Sequence, residues 1–282
     1  MNYRHAFHAG NFADVMKHAL LVRTLAYLQR KETPLRVIDT HAGIGLYDLT
    51  ADEAERTGEW ENGVGRLGSP FAPDIEDLLK PYRDVLEAVR ARYGEYAYPG
   101  SPAILREMLR PQDRGVLVEL HPADHATLAA RYNAVKNIKV MHLDGWVALQ
   151  ALVPPKEKRG LVLVDPPFEQ PDEYDRLARS LRTALRKWAT GVFAGWYPIK
   201  SFGVIEAMYG TLAEGLDRPA LRLELLVDDP AIPDRLNGCG LVVVNPPWTL
   251  EDEAERLLPA LAERLSRSGY GAFRCERFGQ TA

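Results

Sequence analysis

The sequence predicts an α/β protein: a doubly wound, mostly parallel sheet with helices on both faces and a small helical subdomain inserted after the first strand. Three observations predict it. Short, nearly continuous apolar runs rich in β-branched residues recur along the 282 residues, the signature of strands buried on both faces. Stretches of helical periodicity separate them, and strand alternating with helix specifies a parallel sheet. The alternation fails once, after the first strand, where residues 46–97 intervene with a helical pattern of their own.

The chain opens on a polar, histidine-bearing stretch, Met1 to Phe12, unlike a basic-then-apolar leader, and no apolar run approaches the roughly 20 residues of a membrane span. A cytoplasmic, monomeric protein with no membrane partner is expected. Residues 1–31 carry Arg4, Lys17, Arg23, Arg30 and Lys31 against the single acid Asp14, so this segment is the candidate phosphate-facing surface; an ordinary solvated helix face is the alternative. The net charge is −4, but residues 46–97 hold twelve acids and six bases, net −6, which leaves the rest of the chain at +2. Nucleic-acid binding, if present, therefore belongs outside that segment.

The first strand spans Leu35 to Asp39. In the insertion Ile75, Leu78, Leu79, Tyr82, Val85, Leu86, Val89 and Tyr93 fall at helical spacing, so a folded lid or platform is expected there. Ser101, as N-cap, and Pro102 then restart the main fold, giving a domain of residues 1–45 and 98–282 around an inserted 46–97. Further strands are expected at Gly115 to Leu120, Lys139 to Leu143, Leu161 to Val164, Gly191 to Ala194, Leu221 to Val227 and Leu241 to Val244, with helices at Ala123 to Val135 and Glu173 to Trp188. Cys239 and Cys275 are the only cysteines and form no CxxC pair, so neither a disulfide framework nor a structural zinc site is indicated and reduced thiols are expected.

Ligands in such sheets bind at the carboxyl ends of the strands. The first strand ends in Asp39-Thr40-His41-Ala42-Gly43-Ile44-Gly45, whose glycines let backbone approach a nucleotide-like cofactor. The second ends at Glu119, placed to accept both hydroxyl protons of a ribose, and the third at Asp144-Gly145, placed to accept from an adenine amino group. Three successive strand ends thus suit one adenosine-containing ligand. The fourth strand ends in Asp165-Pro166-Pro167-Phe168, the most specific signal in the chain. An exocyclic adenine nitrogen is a poor nucleophile until it pyramidalises. The Asp165 carboxylate and the Pro166 carbonyl could hold its two protons while Phe168 stacks on the base. A proline pair that merely ends a strand is the bland alternative. A second copy, Asn245-Pro246-Pro247-Trp248, follows two further strands and is expected out of reach of the site. His5, His8, His18 and His41 lack zinc-type spacing, so no metal is expected.

Taken together, these residues resemble the RlmJ family of 23S rRNA adenine-N6 methyltransferases. The likeness includes the opening Tyr3-Arg4-His5-Ala6-Phe7-His8-Ala9-Gly10-Asn11 with Asp14-Val15 and Lys17-His18. It extends through Glu55-Arg56-Thr57-Gly58-Glu59, Tyr98-Pro99-Gly100-Ser101-Pro102, Glu119-Leu120-His121-Pro122 and Trp196-Tyr197-Pro198. The resemblance implies a Rossmann-like class I methyltransferase that uses S-adenosyl-L-methionine on 23S rRNA. It implies that His18, His41, Gly43, Ser101, Glu119, Asp144, Gly145 and Asp165 contact the cofactor and that Asp165 is also catalytic. Tyr3 would meet the target adenine, with His5 and Lys17 nearby. Phe168 stands where most members carry Tyr, which keeps stacking and loses a hydroxyl. A DNA adenine methyltransferase and a non-catalytic RNA-binding assembly factor on the same scaffold are the alternatives.

Overall fold

The structure, a computed structural model, describes residues 5–232 and 235–280. Helix α1 (Phe12–Leu28) is capped by the Asn11 side chain, which accepts from the Ala13 and Asp14 amides, and leads into strand β1 (Arg36–Asp39). Next come strand β2 (Leu46–Asp48), helices α2 (Asp52–Thr57) and α3 (Pro73–Tyr93), strand β3 (Ala97–Pro99) and helix α4 (Ser101–Met108). The regular part follows as β4 (Arg114–Glu119), α5 (Pro122–Tyr132), β5 (Ile138–His142), α6 (Gly145–Ala151), β6 (Gly160–Val164), α7 (Glu173–Lys187), β7 (Val192–Pro198) and α8 (Phe202–Ala213). Strands β8 (Ala220–Leu226) and β9 (Gly238–Val244), helix α9 (Leu250–Leu265) and strand β10 (Ala272–Phe278) close the chain.

The main sheet runs β10-β8-β9-β7-β6-β1-β4-β5, and β2 pairs with β3 in a separate ribbon. From β5 to β7 neighbouring strands are parallel; β9 is antiparallel to both β7 and β8, and β10 is antiparallel to β8. The expected alternation therefore breaks a second time, because no helix lies between β8 and β9 among the described residues. Strand β10 escapes the apolar-run criterion because it is an edge strand carrying Arg274, Glu276 and Arg277.

Successive strand residues point to opposite faces, so each strand feeds two cores. Val37, Leu117, Leu161, Leu163 and Val243 pack with α1, α3, α4 and α9 on one face. Ile38, Val116, Val162, Val164 and Val242 pack with α6, α7 and α8 on the other. The apolar side of α3 expected from its spacing, Ile75 to Val89, is buried in the first of these cores, together with α1 and α9. Among the described residues no helix is long and apolar enough to cross a membrane.

Candidate active site

The chain order reverses at β1, which has β4 on one side and β6 on the other, and this switch point is where a crevice opens at the strand ends. Asp39 is in register with Leu163, and the Thr40 amide donates to the Leu163 carbonyl at 3.0 Å, so the loop after β1 lies against the turn after β6. A cavity of about 650 Å³ occupies the crevice. His5, Lys17, His18, His41, Gly43, Ser101, Glu119, Asp144, Gly145, Asp165 and Pro166 all line it.

Glu119 is nearly buried and held by two backbone donors, the Gly43 amide at 2.8 Å and the His121 amide at 2.7 Å. Asp144 caps α6 through one carboxyl oxygen, which accepts from the Trp146 and Val147 amides at 2.8 and 2.9 Å. Gly145 has to be glycine: a Cβ there would stand 2.3 Å from the Thr40 carbonyl oxygen and 2.7 Å from the His41 ring. Gly43 turns at φ 60°, and its Cβ would meet the Tyr47 hydroxyl at 2.6 Å. The loop after β1 is thus a cradle without side chains at its closest points. His41 packs edge-on to Trp146, and burial pushes its imidazole down to about 4. Ser101 is the first residue of α4 and not its N-cap, which is Gly100, and it lies near the buried Asp39 carboxyl. Burial raises that carboxyl to about 7.

Asp165 sits in the most charged part of the site. Its Oδ2 accepts from the Lys17 ammonium at 2.5 Å, and Lys17 also meets Asp14 at 3.0 Å. Lys17 is 5% exposed. Burial would lower such an ammonium, but Asp14 and Asp165 hold it well above the ordinary lysine range. Asp14 accepts as well from His5 at 3.0 Å and from the Gly10 amide at 2.9 Å. Burial opposes its charge, yet His5, Lys17 and His18 hold its carboxyl well below the usual range. His18, pushed down to about 3 by burial, reaches the Tyr98 hydroxyl at 2.9 Å, and His8 pairs with Glu59 at 3.0 Å.

Two expectations change here. Among the described residues the basic surface expected of residues 1–31 is not gathered at the cavity: Lys17 is buried between two carboxylates, Arg23 pairs with Glu253, and the exposed Arg30 and Lys31 lie at the end of α1 that enters β1, at the rim away from the cavity. Phe168, at φ 51°, is buried against Tyr174 and Trp196 and does not line the cavity, whereas Trp196 and Pro167 do. Tyr3 and Arg4 lie outside the described residues. Asn245 is remote as expected, but strand direction is the reason. Because β9 is antiparallel to β7, Asn245 emerges at the opposite rim, where its amide donates to the Ala189 and Gly191 carbonyls at 2.9 and 2.7 Å. Asp14 is the residue that a reading by motifs passes over; its spacing to Lys17 and His18, three and four residues on, places all three on one helix face.

The profile of a family described as "Ribosomal RNA large subunit methyltransferase D, RlmJ" matches residues 32–277. The chain belongs to the RlmJ family. Two relatives called ribosomal RNA large subunit methyltransferase J bear this out, one from Haemophilus influenzae and one from Escherichia coli. The first is 38% identical over 98% of both chains, the second 36% identical over 96% of both. A solved structure, that of protein LPL1258 from Legionella pneumophila, superposes with a TM-score of 0.86 at 34% identity, over 96% of this chain and 98% of its own.

Proposed function

We propose that the chain transfers a methyl group from S-adenosyl-L-methionine to the exocyclic N6 of an adenine in 23S rRNA. The observation that carries this is the position of Asp165: at the switch point, beside the Glu119 and Asp144 strand ends, with one carboxyl oxygen tied to Lys17. The name shared by the relatives supplies the RNA.

The residues present fit the cofactor. Glu119, fixed by two amides, has lone pairs left for a ribose diol, and the second oxygen of Asp144 can accept from an adenine amino group beside Trp146. His41, uncharged near neutrality, adds a donor or acceptor without adding charge. The bound cofactor supplies an electrophilic methyl on a sulfonium. The remaining work falls to the chain. The free Asp165 oxygen and the Pro166 carbonyl accept the two N6 protons, which favours the pyramidal nitrogen and offsets positive charge as it grows. Lys17 fixes the carboxyl in place, and Asp14 fixes Lys17. Pro167 and Trp196 offer apolar walls for the base, and the segment bearing His5, His8 and Asn11 closes one side of the cavity.

The test is to incubate the protein with unmodified total rRNA, DNA and labelled cofactor and to map the label. Label on N6 of one 23S adenine is expected; label on DNA or protein would overturn the reading.

A further inference from the structure

One rim of the cavity plays no part in the reaction above. It is built from the loop after β8, the loop after α9 and the helical turn Val64–Gly68. Arg235, Leu236 and Arg267 line the cavity there, beside Glu59 and His8. Arg267 donates to the Leu236 carbonyl at 3.2 Å, and its guanidinium stands 5.2 Å from the Phe12 ring centroid. Arg66 donates to the Ser266 carbonyl, next to Arg267 in the chain, and to Asn62 at 2.6 Å. Arg264 donates to the Ser69 and Pro70 carbonyls at 2.7 and 2.9 Å and lies 4.0 Å over the Phe71 ring.

Among the described residues, none of Arg66, Arg264 and Arg267 is within ion-pair distance of a carboxylate. Arg235 alone has one, Asp228 at 2.6 Å, and its side chain is still 44% exposed. Glu59, which also lines the cavity here, is engaged by His8 and Asn11. Burial lowers the basicity of Arg267; Glu59 and Asp228 raise it, and the neighbouring cations Arg235 and Arg66 lower it again. Three guanidiniums, those of Arg66, Arg264 and Arg267, are therefore held in place by carbonyls and, for the last two, rings with no carboxylate at ion-pair distance among the described residues, and the fourth, Arg235, shares one carboxylate and stays exposed. A planar guanidinium fork matches the oxygens of a phosphate, and a polyanion is what such a concentration of positive charge attracts. Of the described amino-terminal basic residues, Lys17 and Arg23 are already neutralised, and Arg30 and Lys31 lie at the rim away from the cavity.

Building on the rRNA reading, we propose that Arg235 and Arg267, backed by Arg66 and Arg264, form a phosphate clamp for the RNA strand that delivers the target adenine. Binding of unmodified 23S rRNA, measured from about 50 to about 200 mM salt, tests it. Each lost phosphate contact on a single strand flattens the plot of log affinity against log salt by roughly 0.7. Arg235→Ala and Arg267→Ala should each flatten it by about that much, weaken RNA binding on the order of tenfold at low salt, raise the KM for RNA and leave cofactor affinity unchanged. Because Arg267 also packs on Phe12, two controls separate charge from packing: Arg267→Lys should keep the slope, and the exposed Arg235→Glu should lose more than Arg235→Ala, with the deficit fading as salt rises. Alanine variants with the wild-type slope, or with equal losses at low and high salt, would overturn the clamp. Failure of the wild type to label RNA at all would instead overturn the methylation reading, whatever the slopes.

Discussion

Two strands of this sheet end in the same pattern, a polar residue followed by two prolines and an aromatic, and the two turns have little else in common. After β6, Asp165 faces the cavity on a lysine, and Phe168 is buried beneath it. After β9, Asn245 ties the end of its strand to the start of β7 through two carbonyls, and Trp248 is 83% exposed. The prolines end a strand in both places. What differs is direction. A strand parallel to β1 delivers its last residue to the crevice, and an antiparallel one delivers it to the far rim, so one motif can become chemistry or a brace according to the strand that carries it.

The comparison can be broken most severely at Lys17. Lys17→Ala would leave Asp14 and Asp165 as neighbouring carboxyls with no cation between them, and loss of one partner from a buried pair costs about 3–5 kcal/mol. Denaturant unfolding should show that loss, with methyl transfer falling at least a hundredfold. Among the described residues the Asn245 side chain meets two carbonyls and no such cation. A somewhat smaller effect is expected in the acid range. His41, pushed to about 4 by burial, resists protonation in the folded state, whereas the unfolded chain takes up that proton near the ordinary 6.5. The stability from neutral His41 is complete above 6.5 and is lost as pH falls toward 4, roughly 3 kcal/mol in all. His41→Gln should flatten that limb of a stability-against-pH curve, and an unchanged limb would refute the assignment. Smaller again is Glu119→Ala, which removes the acceptor expected for the ribose and should weaken cofactor binding by roughly 1–3 kcal/mol in calorimetry, with no divalent ion required. The smallest change belongs to the second motif: Asn245→Ala should cost about 1 kcal/mol of stability through the two abandoned carbonyls and leave cofactor affinity untouched.

Much of the site is legible in the sequence because buried parallel strands advertise themselves as apolar runs, and their carboxyl ends are where ligands go. Glu119, Asp144 and Asp165 follow from that rule. Direction does not, since an apolar run such as Leu241 to Val244 reads the same either way, and only pairing with β7 orients it. Counting charges misplaces Lys17 and Arg23, because a count cannot say that α1 is buried around nearly its whole circumference. An aromatic after the prolines suggests stacking on a base, but the left-handed backbone at Phe168 turns that ring toward Tyr174 and leaves the wall to Trp196. The arginines of the cavity rim come from the insertion, the β8–β9 loop and the end of α9, a convergence that no local pattern records.

The most direct test is a single-turnover assay with saturating rRNA and labelled cofactor, run in parallel on Asp165→Ala and Asn245→Ala. If Asp165 holds N6, its alanine variant should remain folded, bind cofactor and transfer methyl at least a hundredfold more slowly, since loss of one such contact costs about 10²–10³ in rate, while Asn245→Ala transfers at the wild-type rate. Wild-type transfer by Asp165→Ala, or an inactive but folded Asn245→Ala, would contradict the account.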